Sequence, residues 1–420
     1  MSQNTFLLEE ANRCLLCKNP RCSKHCPVNT SIPEVIALYK QGELKKAGEI
    51  LFENNPLSAI CALVCEHEKQ CEGNCIRGIK SVPIPFYKME EEISLKYLEE
   101  LQFEKGAEDK ERIAVIGGGP AGMTIALLLQ RRGYKVTIFE SRNQIGGVLR
   151  YGIPEYRLPK RIIDLLEKHL LDLGVKIRPN ILIGPVLSLD KLFEDGYAAA
   201  FIGTGVWNPR TLGIKGESFG NVHFAIDYLK SPQFYSLGEN VAVIGAGNVA
   251  MDAARTALRL GAEVHVVYRR SEEELPARKE EVHHAKEEGI IFDLLQNPVE
   301  ILTDENDWVT GVKIVKMELG EPDASGRRRP IEIPNSEYTM DCDTVIMSLG
   351  TSPNPLISST TKGLDTDRKG CIIAKEENGA TTKTAVYAGG DAVTGAATVI
   401  LAMGAGKAAA KGIDEFLSKK

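Results

Sequence analysis

The chain has 420 residues, a formal net charge of −6, and 43% hydrophobic and 26% charged residues, enough length for two or three domains with large cores. The acidic balance, with no long basic run, argues against nucleic acid as the main partner. Glycine or charge interrupts every stretch approaching the roughly 18 apolar residues of a membrane span. MSQNTFLLEEANRC lacks the basic and apolar regions of a secretory signal, so a cytoplasmic location is expected.

Eight of the ten cysteines fall within the first 75 residues, in two runs. In a reducing compartment such clustering reads as metal ligation rather than disulfides. The separate Cys342 and Cys371 read as buried structural thiols. The first run is Cys14-x2-Cys17-x4-Cys22-x3-Cys26-Pro27. It is similar to the bacterial ferredoxin run C-x2-C-x2-C-x3-C-P, whose last cysteine crosses to the other cluster of a pair. Three closely spaced thiolates wrap one cluster, so Cys14, Cys17 and Cys22 are expected to share it with one residue of the second run. Cys26 then belongs with the second run, Cys61-x3-Cys65-x5-Cys71-x3-Cys75. Zinc fits less well, because it favours paired C-x2-C knuckles and only Cys14 and Cys17 form one.

Between the runs, Ser31-Ile32-Pro33-Glu34 predicts a capping box with proline in the first turn. Ile32, Val35, Ile36 and Tyr39 share one helical face, and Leu44, Ala47 and Leu51 begin another. Two helices therefore fold the second run back on the first. The helical domain is expected to end near residue 90, with a charged helix over roughly 89–105 leading away; with that linker it spans 1–108.

Two segments then repeat without a gap. RIAVIGGGPAGMTIALLLQRRGYKVTIFE begins at Arg112, and NVAVIGAGNVAMDAARTALRLGAEVHVVY begins at Asn240. Each reads strand, glycine turn, helix, strand, the βαβ unit that binds dinucleotides. In the first copy Gly117 makes the tight turn and Gly119 admits the pyrophosphate. Pro120 and Ala121 open the helix, and Gly122 lets it pack closely on the strand. Glu140 ends the second strand, where a carboxylate accepts from a ribose hydroxyl. The second copy has Gly245, Gly247, Asn248 and Ala250. Tyr268 replaces the acid and is followed by Arg269 and Arg270, whose guanidinium forks suit a 2′-phosphate and so NADPH.

Two such units need two ligands, and FAD is expected in the first. VYAGGDAVTGAATV supports this: Ala385–Ala388 predicts a strand, Gly390 allows close backbone approach, and Asp391 accepts from a ribityl hydroxyl. Gly147, Arg157, Gly350 and Thr398 complete the candidate cofactor residues. Asp343–Met347 predicts a further strand with a turn at Gly350. The expected fold class is α/β: a helical two-cluster iron–sulfur domain followed by two Rossmann-like domains. The FAD domain is discontinuous (109–205 and 343–420), with the NADPH domain (206–342) inserted.

The motifs EANRCLLC, HCPV, CEGNC, GGGPAG, GGVLRYGIPEYRLPK, GAGNVAMDAAR, YRR and AGGDAVTGAATV cover nearly the whole chain. Together they resemble the small subunit of NADPH-dependent glutamate synthase. They are equally similar to the N-terminal half of dihydropyrimidine dehydrogenases and to the large subunit of bifurcating ferredoxin:NADP oxidoreductases. The resemblance implies two 4Fe-4S clusters, one on Cys14, Cys17, Cys22 and Cys75, the other on Cys26, Cys65, Cys71 and a side chain from the following helix. Glu90 matches that fourth position best, with Glu91 next to it, although PIPFYKMEEEI departs from the usual glycine-containing segment. Cys61 corresponds to a non-ligand. It also implies that the loop at Tyr151–Pro159 lies by the flavin.

The implied chemistry is hydride transfer from NADPH to FAD and single-electron transfer through the clusters to a partner. That partner is a large glutamate synthase subunit, an FMN-barrel subunit or a ferredoxin-like carrier. A free-standing reductase and a redox-sensing scaffold are the rivals. No catalytic residue is assigned: His25, His67, His283 and His284 read as surface or packing residues, with His25 and His67 able to tune a cluster from outside its ligands. Residues 240–340 hold no cysteine, which excludes thioredoxin-reductase-type dithiol chemistry.

Overall fold

The computed structural model describes residues 5–106, 108–322, 326 and 328–419. They belong to two units. One comprises Met1–Arg150, Glu155–Val206 and Ser352–Lys420, the other Tyr151–Pro154 and Trp207–Thr351.

The first unit begins with helices Thr5–Asn12, Ile32–Lys40, Leu44–Asn54, Ser58–Val64 and Phe86–Glu100. Ile32, Val35, Ile36 and Tyr39 are all buried, and they pack with Ala47, Leu51, Met89 and Ile93. The expected capping box does not form. Ser31 is the N-cap, but its side chain makes no cap hydrogen bond; the Ile32 N–H donates to the Thr30 carbonyl at 2.8 Å and to the Ser23 hydroxyl at 3.3 Å. The charged helix starts directly after Pro85 and ends at Glu100, a few residues ahead of the expected span.

The same unit holds a five-stranded parallel sheet in the order Val386–Ala388, Tyr197–Ile202, Arg112–Ile116, Lys135–Phe139, Lys176–Arg178. Arg112–Ile116 is buried beyond its first residue, as expected of a strand covered on both faces. The C-terminal helix Val399–Leu417 packs on helix Pro120–Arg131 through small residues. A Cβ at Gly406 would lie 2.7 Å from the Ala121 carbonyl oxygen. The helical region is tied to this sheet layer: the Leu98 carbonyl lies 2.8 Å from His169 Nε2, and Arg131 pairs with Glu53 at 2.6 Å.

The second unit has its own parallel sheet, ordered Val222–Phe224, Thr344–Met347, Asn240–Ile244, Glu263–Tyr268, Ile291–Leu294. An antiparallel sheet of Gln296–Thr303, Val309–Pro322, Arg328–Glu332 and Tyr338–Asp341 follows. The expected boundary at residues 342/343 is therefore displaced. Thr344–Met347 pairs in parallel with Val241–Ile244, and the return to the first unit comes after Thr351. All four residues of that strand are buried, so no inside–outside alternation marks which sheet it joins. Among the described residues no helix is long and apolar enough to cross a membrane.

Candidate functional site: two dinucleotide turns and two cysteine groups

In the first unit the chain leaves strand Arg112–Ile116 through Gly117, at φ +97°. A Cβ there would lie 2.6 Å from the Gly203 carbonyl oxygen, and one at Gly122 only 1.9 Å from the Gly117 carbonyl oxygen. Both positions therefore need glycine. Gly119 caps the helix that opens at Pro120, and its Cβ direction is open except for Gly147 Cα at 4.0 Å. A Cβ at Gly390 would stand 3.4 Å from that of Ala121. Gly117, Gly119, Ala121, Gly122, Gly147 and Gly390 thus gather around one helix N-terminus, where free N–H groups and the helix dipole favour an anion.

Glu140 is buried and bound back to the turn. Its carboxylate accepts from the Gly118 N–H at 2.8 Å, from the Arg142 N–H at 2.9 Å and from the Ser141 hydroxyl at 3.2 Å. A carboxylate has about four acceptor sites, so one remains for a ribose hydroxyl. Asp391 accepts weakly from the Ala397 N–H at 3.3 Å, and burial pushes its carboxyl up to about 6. Thr398 caps the C-terminal helix, and its hydroxyl is buried without a partner among the described residues. A buried orphan hydroxyl beside a glycine-lined turn fits a polar cofactor. Arg157 is half-buried.

The second unit repeats the turn. Gly245 has φ +116°, and a Cβ on it would lie 2.4 Å from the Ser348 carbonyl oxygen. Gly247 caps helix Asn248–Arg259 and faces open space. Ala250 is fully buried. The Asn248 side chain accepts from the Arg278 N–H at 2.9 Å. Arg270 Nε donates to the Arg328 carbonyl at 3.0 Å, which leaves its outer nitrogens available. Arg269 is exposed. Gly350, at φ +89°, belongs to this unit and not to the expected second FAD segment. Sequence reasoning missed Ser348, whose hydroxyl is buried without a partner among the described residues beside Gly245; its signal was the strand–turn pattern Thr344–Gly350.

No cysteine forms a disulfide. Cys14, Cys17, Cys22 and Cys75 line one cavity of about 40 Å³ with Pro33 and Ile84. Burial pushes the Cys22 thiol up to about 11, and the nearby thiols of Cys75, Cys14 and Cys17 add to it. Cys65 is raised by its hydrogen bond to Cys61 and by burial, with Glu90 and Cys71 contributing. Cys71 is raised by burial, then by Glu90 and Cys26. The Glu90 carboxyl is buried and pushed up to about 8 by that burial. Cys14, Cys17, Cys22 and Cys75 thus share one cavity, while Glu90 lies close enough to Cys65 and Cys71 to act on both thiols. Bound cationic metal relieves repulsion between such donors and deprotonates thiols outright. Among the described residues no group of three or more His, Cys, Asp or Glu side chains stands in metal-ligating geometry; the thiol-rich donor chemistry is of the kind that holds iron–sulfur clusters.

His67, expected at the surface or in packing, is buried, stacked on Tyr87 at 4.4 Å and 3.8 Å from Cys71 Sγ. His25 is exposed, with Nδ1 2.8 Å from the Arg21 carbonyl. The Cys26 side meets the C-terminal helix. A Cβ at Gly404 would lie 3.4 Å from a Val28 methyl, and Lys407 donates to the Asn54 side chain at 3.0 Å.

A model of the pyridine nucleotide-disulphide oxidoreductases matches residues 111–406. A model described as dihydropyrimidine dehydrogenase domain II, 4Fe-4S cluster, matches 1–101. The glutamate synthase [NADPH] small chain of Halomonas elongata is 34% identical over 97% of this chain and 90% of its own length. The chain belongs to this small-chain family. The chain is also similar to a relative of another name: the NADP(+)-dependent formate dehydrogenase subunit beta of Moorella thermoacetica is 36% identical over 94% of this chain, which spans 60% of that protein. Mycobacterium tuberculosis FprA in complex with NADPH shares the fold, with a TM-score of 0.63 at 19% identity, over 74% of this chain and 85% of that one. This chain is an NAD(P)H-dependent flavin oxidoreductase.

Proposed function

We propose that this protein takes reducing equivalents from NADPH and delivers them singly, through two 4Fe-4S clusters, to a partner subunit of the glutamate synthase large-chain type. When bound, FAD accepts the hydride of NADPH and the clusters carry its two electrons onward one at a time. The chain's own part is to hold and orient. Gly117, Gly119, Pro120, Ala121 and Gly122 present a helix N-terminus to the FAD diphosphate, and Glu140 takes the ribose. Gly147, Arg157, Gly390, Asp391 and Thr398 line the rest. Gly245, Gly247, Asn248, Ala250 and Gly350 hold the NADPH diphosphate, and Arg269 and Arg270 take its 2′-phosphate. Cys14, Cys17, Cys22 and Cys75 hold one cluster; Cys26, Cys65, Cys71 and Glu90 hold the other.

The observation that carries this reading is the sorting of donors: four cysteines from two distant runs line one cavity, while Glu90 lies among the thiols of the other group. Iron content tests it. Cys61→Ser is expected to keep all the iron of the anaerobically isolated protein, whereas Cys65→Ser loses up to half. Iron loss in Cys61→Ser sinks the ligand set. A partner of another kind would show itself in what co-purifies at native expression level.

A further inference from the structure

We infer that the face around the Cys14–Cys75 cavity is the docking surface for an acidic electron-accepting protein. This rests on the electron-relay reading above and adds what the acceptor must look like.

Two segments build the face, residues 13–33 and 73–88. Ile32, Ile84 and Phe86 of these segments turn into the core, but four other apolar side chains do not: Leu15 is 56% exposed, Ile76 44%, Ile79 63% and Val82 67%. Leu15 and Ile76 line the cavity mouth itself. Exposed apolar groups gathered at one place mark an interaction surface. Charge says what covers it. The segments carry Arg13, Lys18, Arg21, Lys24, Arg77, Lys80 and Lys88 and not one Asp or Glu, in a chain of net charge −6. Arg13 pairs with Glu10; Lys18, Lys24 and Lys80 are exposed and have no ion pair among the described residues. The face is also built in advance. Arg13 donates to the Val82 carbonyl at 2.6 Å, and Arg77 to the Arg13 carbonyl at 2.7 Å, so the two segments are held in one arrangement. An apolar centre within a cationic field selects an acidic partner, steers its approach and rejects basic ones.

The electron count is simple. Each NADPH oxidised to NADP+ releases one proton and two electrons. Two one-electron acceptors are therefore reduced in turn at this face.

The test uses the holoprotein and, as probe, an acidic ferredoxin carrying two 4Fe-4S clusters, with binding measured by calorimetry at low and high salt. Affinity is expected to fall at least about tenfold between them. Lys18→Glu/Lys24→Glu/Lys80→Glu is expected to weaken low-salt binding by about tenfold or more, and the matching glutamine triple by less. Iron content and NADPH-driven reduction of a small dye stay unchanged in both. Binding that ignores salt or charge reversal, or binding of a basic c-type cytochrome as tight as that of the ferredoxin, overturns the proposal. Absence of NADPH-to-dye activity in the wild-type holoprotein overturns the relay reading itself, and with it the role of this face.

Discussion

The two strand–turn–helix copies share a backbone path but differ in two places. Gly119 and Gly247 cap their helices with nearly the same backbone, φ −76° and ψ −171° against φ −83° and ψ 178°. At the third glycine position the first copy has no room for a Cβ, which would sit 1.9 Å from the Gly117 carbonyl oxygen. The second copy buries Ala250 completely at the same place. The first glycine thus sets the turn, while the third sets only how closely the helix approaches the strand. The second difference lies at the end of the next strand. Glu140 folds back on its own turn through the Gly118 N–H. Tyr268 instead donates its hydroxyl to the Glu274 carbonyl at 3.0 Å, and the positions after it point cations outward. On the proposed reading, the first copy offers its carboxylate to a ribose and the second leaves its arginines for a phosphate.

Substitutions at these positions sharpen or break the contrast. Gly122→Ala is expected to cost about 3 kcal/mol by overpacking and to release FAD, seen as lost flavin absorbance after gel filtration; retained flavin would mean that the first helix can move out as the second does. Glu140→Gln trades a charge-assisted hydrogen bond for a neutral one, so a stability loss of about 1–2 kcal/mol is expected, read as a lower unfolding midpoint. Arg269→Ala/Arg270→Ala should raise the KM for NADPH by about ten- to a hundredfold, equivalent to about 1.4–2.7 kcal/mol, with little change for NADH; equal effects on both would remove the 2′-phosphate assignment. Ala250→Gly is expected to cost only about 1 kcal/mol, its helix propensity, with cofactor binding intact.

Much of this was legible because glycine and cysteine spacings report local geometry directly. The turns at Gly117 and Gly245, the face of helix Ile32–Lys40 and the grouping of Cys14, Cys17 and Cys22 follow from short-range pattern, whereas Cys75 joined them only through the family resemblance. What the pattern hid is tertiary. Thr344–Met347 is buried on both faces and fits either sheet by composition; only its pairing with Asn240–Ile244 decides the matter. Val309–Pro322 is largely buried over its first half, with no strict alternation, and the antiparallel sheet it forms had no place in a reading built on βαβ units. Ser31 carried the letters of a capping box, but it stands at the helix N-cap with its side chain making no cap hydrogen bond. His67 read as a surface or packing residue; it packs, and nothing in its neighbours announces Tyr87, which stacks on it.

The C-terminal helix acts as a ruler. One end, at Thr398, belongs to the flavin-side turn; further along, Gly404 touches Val28 of the Cys26 loop. At about 1.5 Å per residue, that stretch spans about 9 Å and has no joint in it. The helix therefore sets the interval between the Thr398 turn and the Cys26 loop by its count of residues. A single inserted residue would lengthen the interval by about 1.5 Å and rotate everything beyond it by about 100°, swinging Lys407 away from Asn54. Deletions and insertions here should be tolerated far less than substitutions.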